Sequence, residues 1–401
     1  MSALAQPAAK APVLTLDEAL TAAREMVPRL RERAAHADEL RRTPDDSLRE
    51  LQSSGLLRAL QPRRVGGSEM DWVAIVDVSA ELARGCASTA WNWANWASHH
   101  WMLSLWPRQC QDEAWGADPA VLIGSALMFP PGKATRVPGG YRLSGRWPFS
   151  SGVDQSAWNM MGGIVESDDS REMRLFMVPS SDYRIIDNWR AMGLRGTGSK
   201  DVEAKDVFVP EHRALAIDQI KGGDGHPGAT ANPGPIYRIA CFAAFPQILC
   251  GIPLGAAQGA YEALLENMRG RLSRYSGRGM TDMTAVQMKI AEAGACLDAA
   301  RRALRAQALE AEAIARRNEI PDMLTKATWR RDGAFAAQLV GRAMDAVFAL
   351  SGASGLYDDH PIQRAFRDVH AANSHITMMW DAQATTFGRV ALGLPSDNQT
   401  L

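Results

Sequence analysis

The 401-residue chain has little of what marks several protein classes. Its five cysteines, Cys86, Cys110, Cys241, Cys250 and Cys296, include no CxxC pair and no neighbouring histidine. That pattern excludes a disulfide framework, predicts no metal site, and points to a reducing, cytoplasmic compartment. Formal net charge is −1, from 44 basic and 45 acidic residues with no long run of one sign, so neither a nucleic-acid patch nor an acidic-membrane surface is expected. No apolar run is expected to reach the ~20 residues of a membrane helix. The Gly/hydroxyl loop at 193–199 has neither the Walker spacing nor GxGxxG, and the dinucleotide fingerprint of a strand, that motif and a helix is missing, which argues against a phosphate loop and against a Rossmann-bound dinucleotide. Residues 1–14 are rich in Ala and Pro without an apolar centre, so they read as a disordered tail rather than a signal segment. What remains is 46% hydrophobic and 22% charged, the composition of a folded protein with a large core and a small, weakly charged partner.

Aromatic residues make up only 7% of the chain, yet six of its twelve tryptophans fall between Trp91 and Trp115. This stretch lies in a helical first third, 15–119. Thr15-Leu16-Asp17-Glu18 is a capping box, Thr43-Pro44-Asp45-Asp46 starts a short helix that stops at Gly55, and helices follow over 71–84 and from 88. On the last of these, Trp96, His99 and His100 are three and four positions apart and share a face. An aromatic wall containing an imidazole suits an aromatic substrate. Large aromatics filling a helical core, with histidines satisfied by carbonyls, account for the same pattern.

Residues 120–213 change to short strands punctuated by Gly, Pro, Asp and Ser, predicting a small antiparallel barrel or sandwich. In YRLSGRWPFSSG, residues 141–152, Tyr141, Leu143, Trp147 and Phe149 alternate with Arg142, Ser144 and Arg146, giving a dry and a wet face. Ser150-Ser151-Gly152 then ends the strand with small groups that admit a flat, polar-edged ligand, or simply with solvated serines. A second Gly/hydroxyl loop spans 193–199. A Gly/Pro-rich linker, 214–235, leads to a four-helix bundle, 236–401, with helices expected over 236–272, 283–317, 322–351 and 361–392. His375 falls on an apolar face of the last helix, as an available base or donor or as a hydrogen-bonded core residue.

This mainly α chain with a β middle domain resembles the acyl-CoA dehydrogenase superfamily over nearly its whole length, through QPRRVGG at 61–67, VFVP at 207–210, GASGLYDDHPIQRAFRDV at 352–369 and the FSSG turn. More specifically, SHHWMLSLWP, LSGRWPFSSG, GLRGTGSKDV and RDVHAANSH are similar to the oxygenase components of two-component flavin monooxygenases. That family includes hydroxylases of phenols, 4-hydroxyphenylacetate and seco-steroids, indole oxygenases and dibenzothiophene monooxygenase. The resemblance implies a homotetramer that takes reduced flavin, FADH2 or FMNH2, from a separate flavin reductase. With O2 it would form a C4a-hydroperoxide that hydroxylates a small aromatic substrate. It implies Ser150 or Ser151 and His375 at the reacting flavin edge, and His99 as the group that binds or deprotonates the substrate. Trp96, His100 and Trp147 would line the substrate space. For the cofactor it implies Ser125, Ala126, Trp147, Ser150, Thr197 and Ser199, with Arg274 and Gln287 reaching its tail from a neighbouring subunit, although RYSGRG departs from the usual motif. The alternative is an acyl-CoA dehydrogenase. Its carboxylate, usually in an EGT motif, has no counterpart in NSHITMMWD, which leaves Glu262 or Glu266 as substitutes.

Overall fold

The computed structural model describes residues 12–167, 170–272, 277 and 279–401. The first helix, α1 (Leu16–Leu40), begins at the expected capping box: the Glu18 N–H donates to Thr15 Oγ1 at 3.3 Å, and the Thr15 N–H donates to Glu18 Oε2 at 2.8 Å. It is followed by α2 (Asp45–Ser53), α3 (Ala74–Ala83), α4 (Ala87–Leu103) and α5 (Arg108–Trp115). Gly55 ends α2 at φ 81°, a left-handed conformation that glycine adopts without a Cβ penalty. Helix α4 is buried almost all round, with Trp93, Trp96 and Trp101 fully enclosed, so it is a central core helix rather than an amphipathic surface one.

Eight strands follow: β1 (Ile123–Ala126), β2 (Gly132–Val137), β3 (Gly140–Ser150), β4 (Trp158–Ser167), β5 (Ser170–Pro179), β6 (Arg184–Ile186), β7 (Lys200–Pro210) and β8 (Ala214–Ala216). They form one sheet in the order β6-β7-β3-β2-β4-β5-β8, with β1 on β4. The sheet is mixed rather than purely antiparallel, because β1 and β2 both pair parallel with β4, β1 along its first half and β2 along its second. Side chains alternate between two cores as the pleat requires. Met160, Leu175 and Met177 face the helices, while Met161, Phe176 and Val178 join Tyr141, Leu143 and Trp147 in a core that the sheet curls around.

The C-terminal region contains α6 (Phe245–Leu249), α7 (Gly251–Met268), α8 (Thr284–Arg316), α9 (Met323–Ser351), α10 (Pro361–Asn373) and α11 (Trp380–Ala391). Two expectations are corrected here. Phe245–Met268 and Met323–Leu356 are each long and apolar enough by composition to cross a membrane. Both pack in the bundle, with 72% and 56% of their most apolar windows buried. The predicted last helix is in fact two, broken at residues 374–379. Ser374 Oγ donates back to the His370 carbonyl at 3.0 Å, and the His375 ring accepts the Thr377 N–H at 3.2 Å, replacing helical backbone bonds with local side-chain ones.

Candidate active site

The end of β3 is shaped by a bulge against β7 between Trp147 and Ser150, with Phe149 at φ 66°. The bulge overturns the expected alternation. Trp147 stays inside the sheet's core, its indole N–H donating to the Gly162 carbonyl at 2.7 Å, whereas Phe149 swings out to 62% exposure beside Trp189. Trp147 therefore offers no surface to a ligand. The extra residue turns Ser150 inward, where its Oγ accepts from Asn159 Nδ2 at 2.7 Å. Gly152 follows at φ 66°, packed so tightly that a Cβ there would lie 2.8 Å from the Trp96 indole. Its N–H donates to the Thr197 carbonyl at 2.8 Å, which joins this turn to the Gly/hydroxyl loop.

Between the two loops runs a chain of hydroxyls whose direction is fixed by its ends. Trp91 Nε1 can only donate, and does so to Ser151 Oγ at 3.1 Å; the Leu194 carbonyl can only accept, and takes the Thr197 hydroxyl proton at 2.8 Å. Ser151 to Ser199 is 2.7 Å and Ser199 to Thr197 is 2.6 Å, so Ser151 must donate to Ser199 and Ser199 to Thr197. All three hydroxyl protons are thereby used within the protein. Ser150 differs, because it accepts from Asn159 and its own proton has no acceptor among the described residues. The Ser125 hydroxyl likewise makes no hydrogen bond among them, while Ala126 beside it turns into the sheet's core.

The two adjacent histidines of α4 are separated as helix geometry requires. His99 Nδ1 lies 2.5 Å from the Ile123 carbonyl, so this nitrogen carries the proton and Nε2 keeps a lone pair with no partner among the described residues. Burial pushes its pKa down to about 4, which leaves it neutral. His100 instead faces α5, where its Nδ1 accepts the Trp115 indole N–H at 3.0 Å, and no contact joins it to the serine chain. His375 stands in the break after α10 rather than on a helical face, with its ring 5.8 Å from that of Trp91 at 64°. Because Nδ1 accepts the Thr377 N–H, the neutral ring carries its proton on Nε2. Burial first, then the nearby Arg330 guanidinium, depresses its pKa to about 4. His99 thus presents an acceptor and His375 a donor.

Trp96 supports the site without an open face: its N–H donates to Ser156 Oγ at 3.3 Å and Ser156 donates to the Gly152 carbonyl at 2.9 Å. Gln287 is exposed on the first turn of α8 and donates to the Thr281 carbonyl, whereas Arg274 lies outside the described residues. Neither proposed substitute for a dehydrogenase base is poised over this region. Glu262 is paired with Arg84 at 2.7 Å and Glu266 is exposed. The residues that the sequence did not single out are Asn159, Ser156 and Arg330. Arg330 was the one with a visible signal, a charge on the buried stripe Ala327, Arg330, Ala334 and Ala337 of α9.

Spare donors at Ser150 and His375, an acceptor at His99 and exposed apolar Phe149 are features that fit a flat ring system with a polar edge. Residues 17–117 match the acyl-CoA dehydrogenase N-terminal domain and residues 247–380 its C-terminal domain. The chain is 35% identical over 372 residues to the oxygenase subunit HsaA of a flavin-dependent monooxygenase from Rhodococcus jostii, covering 92% of this chain and 97% of the relative. It belongs to this family of flavin-dependent monooxygenases, built on the acyl-CoA dehydrogenase fold. Another member, the oxygenase component of an FADH2-dependent resorcinol hydroxylase from Rhizobium sp., is 34% identical, with 92% of each chain covered. Among solved structures, 3-HSA hydroxylase from Rhodococcus sp. RHA1 superposes with TM-score 0.90 at 34% identity over 96% of this chain and 99% of that one. XiaF from Streptomyces sp., in complex with FADH2 and glycerol, superposes with TM-score 0.89 at 27% identity over 96% and 98%. The oxygenase family and its use of reduced flavin accordingly replace the acyl-CoA dehydrogenase alternative.

Proposed function

We propose that this monooxygenase is a cytoplasmic oxygenase component that receives reduced FMN or FAD from a partner reductase and hydroxylates a small phenolic, indolic or heteroaromatic substrate. The observation that carries the division of roles is the opposite hydrogen bonding of two neutral histidines, His99 as acceptor and His375 as donor. Bound reduced flavin supplies the electrons with which one atom of O2 enters the substrate and the other leaves as water.

The chain's own residues do the rest. Ser150 and the backbones of Ser125–Ala126 and Thr197–Ser199 hold the cofactor ring, and Arg274 and Gln287 of a second copy reach its tail. His99 Nε2 accepts the proton of a substrate hydroxyl or ring N–H, making the ring more electron-rich. His375 Nε2–H and Ser150 Oγ–H hold hydrogen-bonded oxygen in place at the reacting edge. Trp91, Trp96 and the closed serine chain keep water away from it. Exposed Met288, Leu309, Phe335 and Leu392 support assembly into a homotetramer through the bundle.

Anaerobic titration with FMNH2 and FADH2 followed by 18O2 and a panel of phenols, indoles and thiophenes tests this reading. The expected result is protein that purifies nearly colourless, binds reduced flavin and places one labelled oxygen in an aromatic product. Oxidation of an acyl-CoA with transfer of electrons to a dye, and no oxygen incorporation, would defeat it. Sedimentation as a monomer at micromolar concentration would remove the tetramer.

A further inference from the structure

Arg330 is a buried charge, only 6% exposed, and no Asp or Glu among the described residues lies within ion-pair distance of it. Its Nε donates to Gln383 Oε1 at 2.9 Å and its Nη1 to the Phe242 carbonyl at 3.0 Å. A guanidinium has five N–H groups, so three remain, enough for a bidentate partner. Nη2 makes no hydrogen bond among the described residues. Burial lowers the pKa only to about 10, so the group stays charged at neutral pH.

The charge sits at the site rather than in a remote part of the bundle. Gln383, itself 2% exposed, accepts from Arg330 and donates to the Ile376 carbonyl at 2.7 Å, tying the guanidinium to the residue after His375. The carbonyl on the other side belongs to Phe242, which stacks on Phe245 at 5.0 Å and 8° and meets Phe129 at 5.9 Å, an aromatic surface that spans from the sheet to α6. Removing a guanidinium from water without a counter-charge is costly, and hydrogen bonds to one amide and one carbonyl offset that only in part. An anion arriving with a ligand would complete the pairing. Neutral His99 is suited to an uncharged hydroxyl or N–H and leaves the anionic end of a ligand to Arg330.

We propose that Arg330 is the specificity determinant for a carboxylate on the aromatic substrate, received bidentately beside His375. This rests on the monooxygenase reading above and narrows its substrate class to aromatic acids. A basic side chain in a dry site discriminates charged from neutral ligands through a hydrogen-bonded pairing that a neutral group cannot replace.

The test compares p-hydroxyphenylacetate with its neutral amide, by equilibrium titration of the full-length protein loaded with reduced flavin. The parent is expected to bind the acid at least about tenfold more tightly than the amide. Arg330→Met should erase that preference by weakening binding of the acid far more than of the amide, and Arg330→Lys should restore part of it. Gln383→Glu provides an independent arm that keeps the guanidinium. A carboxylate built in beside it should satisfy the charge internally and weaken acid binding selectively. Equal affinity of the parent for acid and amide, or an acid preference that survives both Arg330→Met and Gln383→Glu, overturns the proposal. Loss of reduced-flavin affinity in Arg330→Met with the acid preference intact also overturns it, by assigning the charge to the cofactor. Failure of the parent to bind reduced flavin at all would instead sink the monooxygenase reading.

Discussion

His99 and His375 carry the same ring in opposite hydrogen-bonding states, and each state is imposed by one backbone group. The Ile123 carbonyl holds the proton on Nδ1 of His99, and the Thr377 N–H keeps it off Nδ1 of His375. Their substitution by alanine should therefore separate two failures. His99→Ala should leave reaction of the reduced flavin with O2 close to the parent rate while hydrogen peroxide replaces hydroxylated product. His375→Ala should alter the oxygen reaction itself. A preorganised donor at a developing charge contributes on the order of 2.7–4 kcal/mol, so about a hundredfold loss of coupled turnover is expected. Product and peroxide measured per flavin oxidised distinguish them; parent-like coupling in both variants would make these core histidines. Spacing alone puts His99 and His100 together on the Trp96 face, but helical neighbours diverge and only His99 reaches the middle domain, while His100 turns to α5. Which one does so depends on where β1 crosses α4, a relation between residues 24 apart that spacing on the helix does not contain.

At the scale of elements, two short irregularities shape the candidate site: the bulge that turns Ser150 inward and the break that presents His375. The capping box, the Gly55 stop and the helix, sheet, bundle order were all legible, because each follows from local propensity or periodicity. The bulge was not. Tyr141 to Phe149 read as an unbroken alternation, and only the register against β7 makes Phe149 the extra residue. Nor was the break legible, since NSHITMMW contains neither Pro nor Gly, and its turn is closed by short backbone bonds such as His375 N–H to the Ala372 carbonyl together with the Ser374 and His375 side chains. The turn after the bulge depends on Gly152, where positive φ and contact with Trp96 coincide. Gly152→Ala should cost roughly 1–3 kcal/mol through overpacking and lower reduced-flavin affinity with it. Unchanged melting temperature and unchanged affinity would show that the turn can give way. The loop opposite is held from behind by Asp368 of α10, which accepts the Leu194 N–H at 2.6 Å and fixes that residue at φ 50°.

For the molecule as a whole, buried titratable groups set a characteristic pH response. Burial depresses His99, His226 and His375 from 6.5 to about 4 and His100 to about 3. The unfolded chain takes up these protons near pH 6.5, whereas the folded state resists until lower pH. Their contribution to stability is thus present above 6.5 and lost as pH falls toward 4. Asp368 acts in the opposite sense, because burial and then Asp38 push it from 3.8 up to about 7. Its contribution is full below 3.8 and lost as pH rises through 7. Four histidines oppose one aspartate, so the melting temperature should fall between pH 7 and pH 5. A rise over that interval would mean that these rings are not buried neutral.

The tryptophans packed along α4 and its neighbours also have an optical consequence. Seven indoles are fully enclosed, and Trp72 and Trp101 lie with ring centroids 4.5 Å apart, close enough for excitation to pass between rings. Trp91, in contact with both the serine chain and His375, stands where that excitation meets the candidate site. With flavin bound at the candidate site, the indoles would form a light-gathering array around a yellow chromophore, and the protein's own ultraviolet emission should dim as oxidised flavin binds and recover as it leaves.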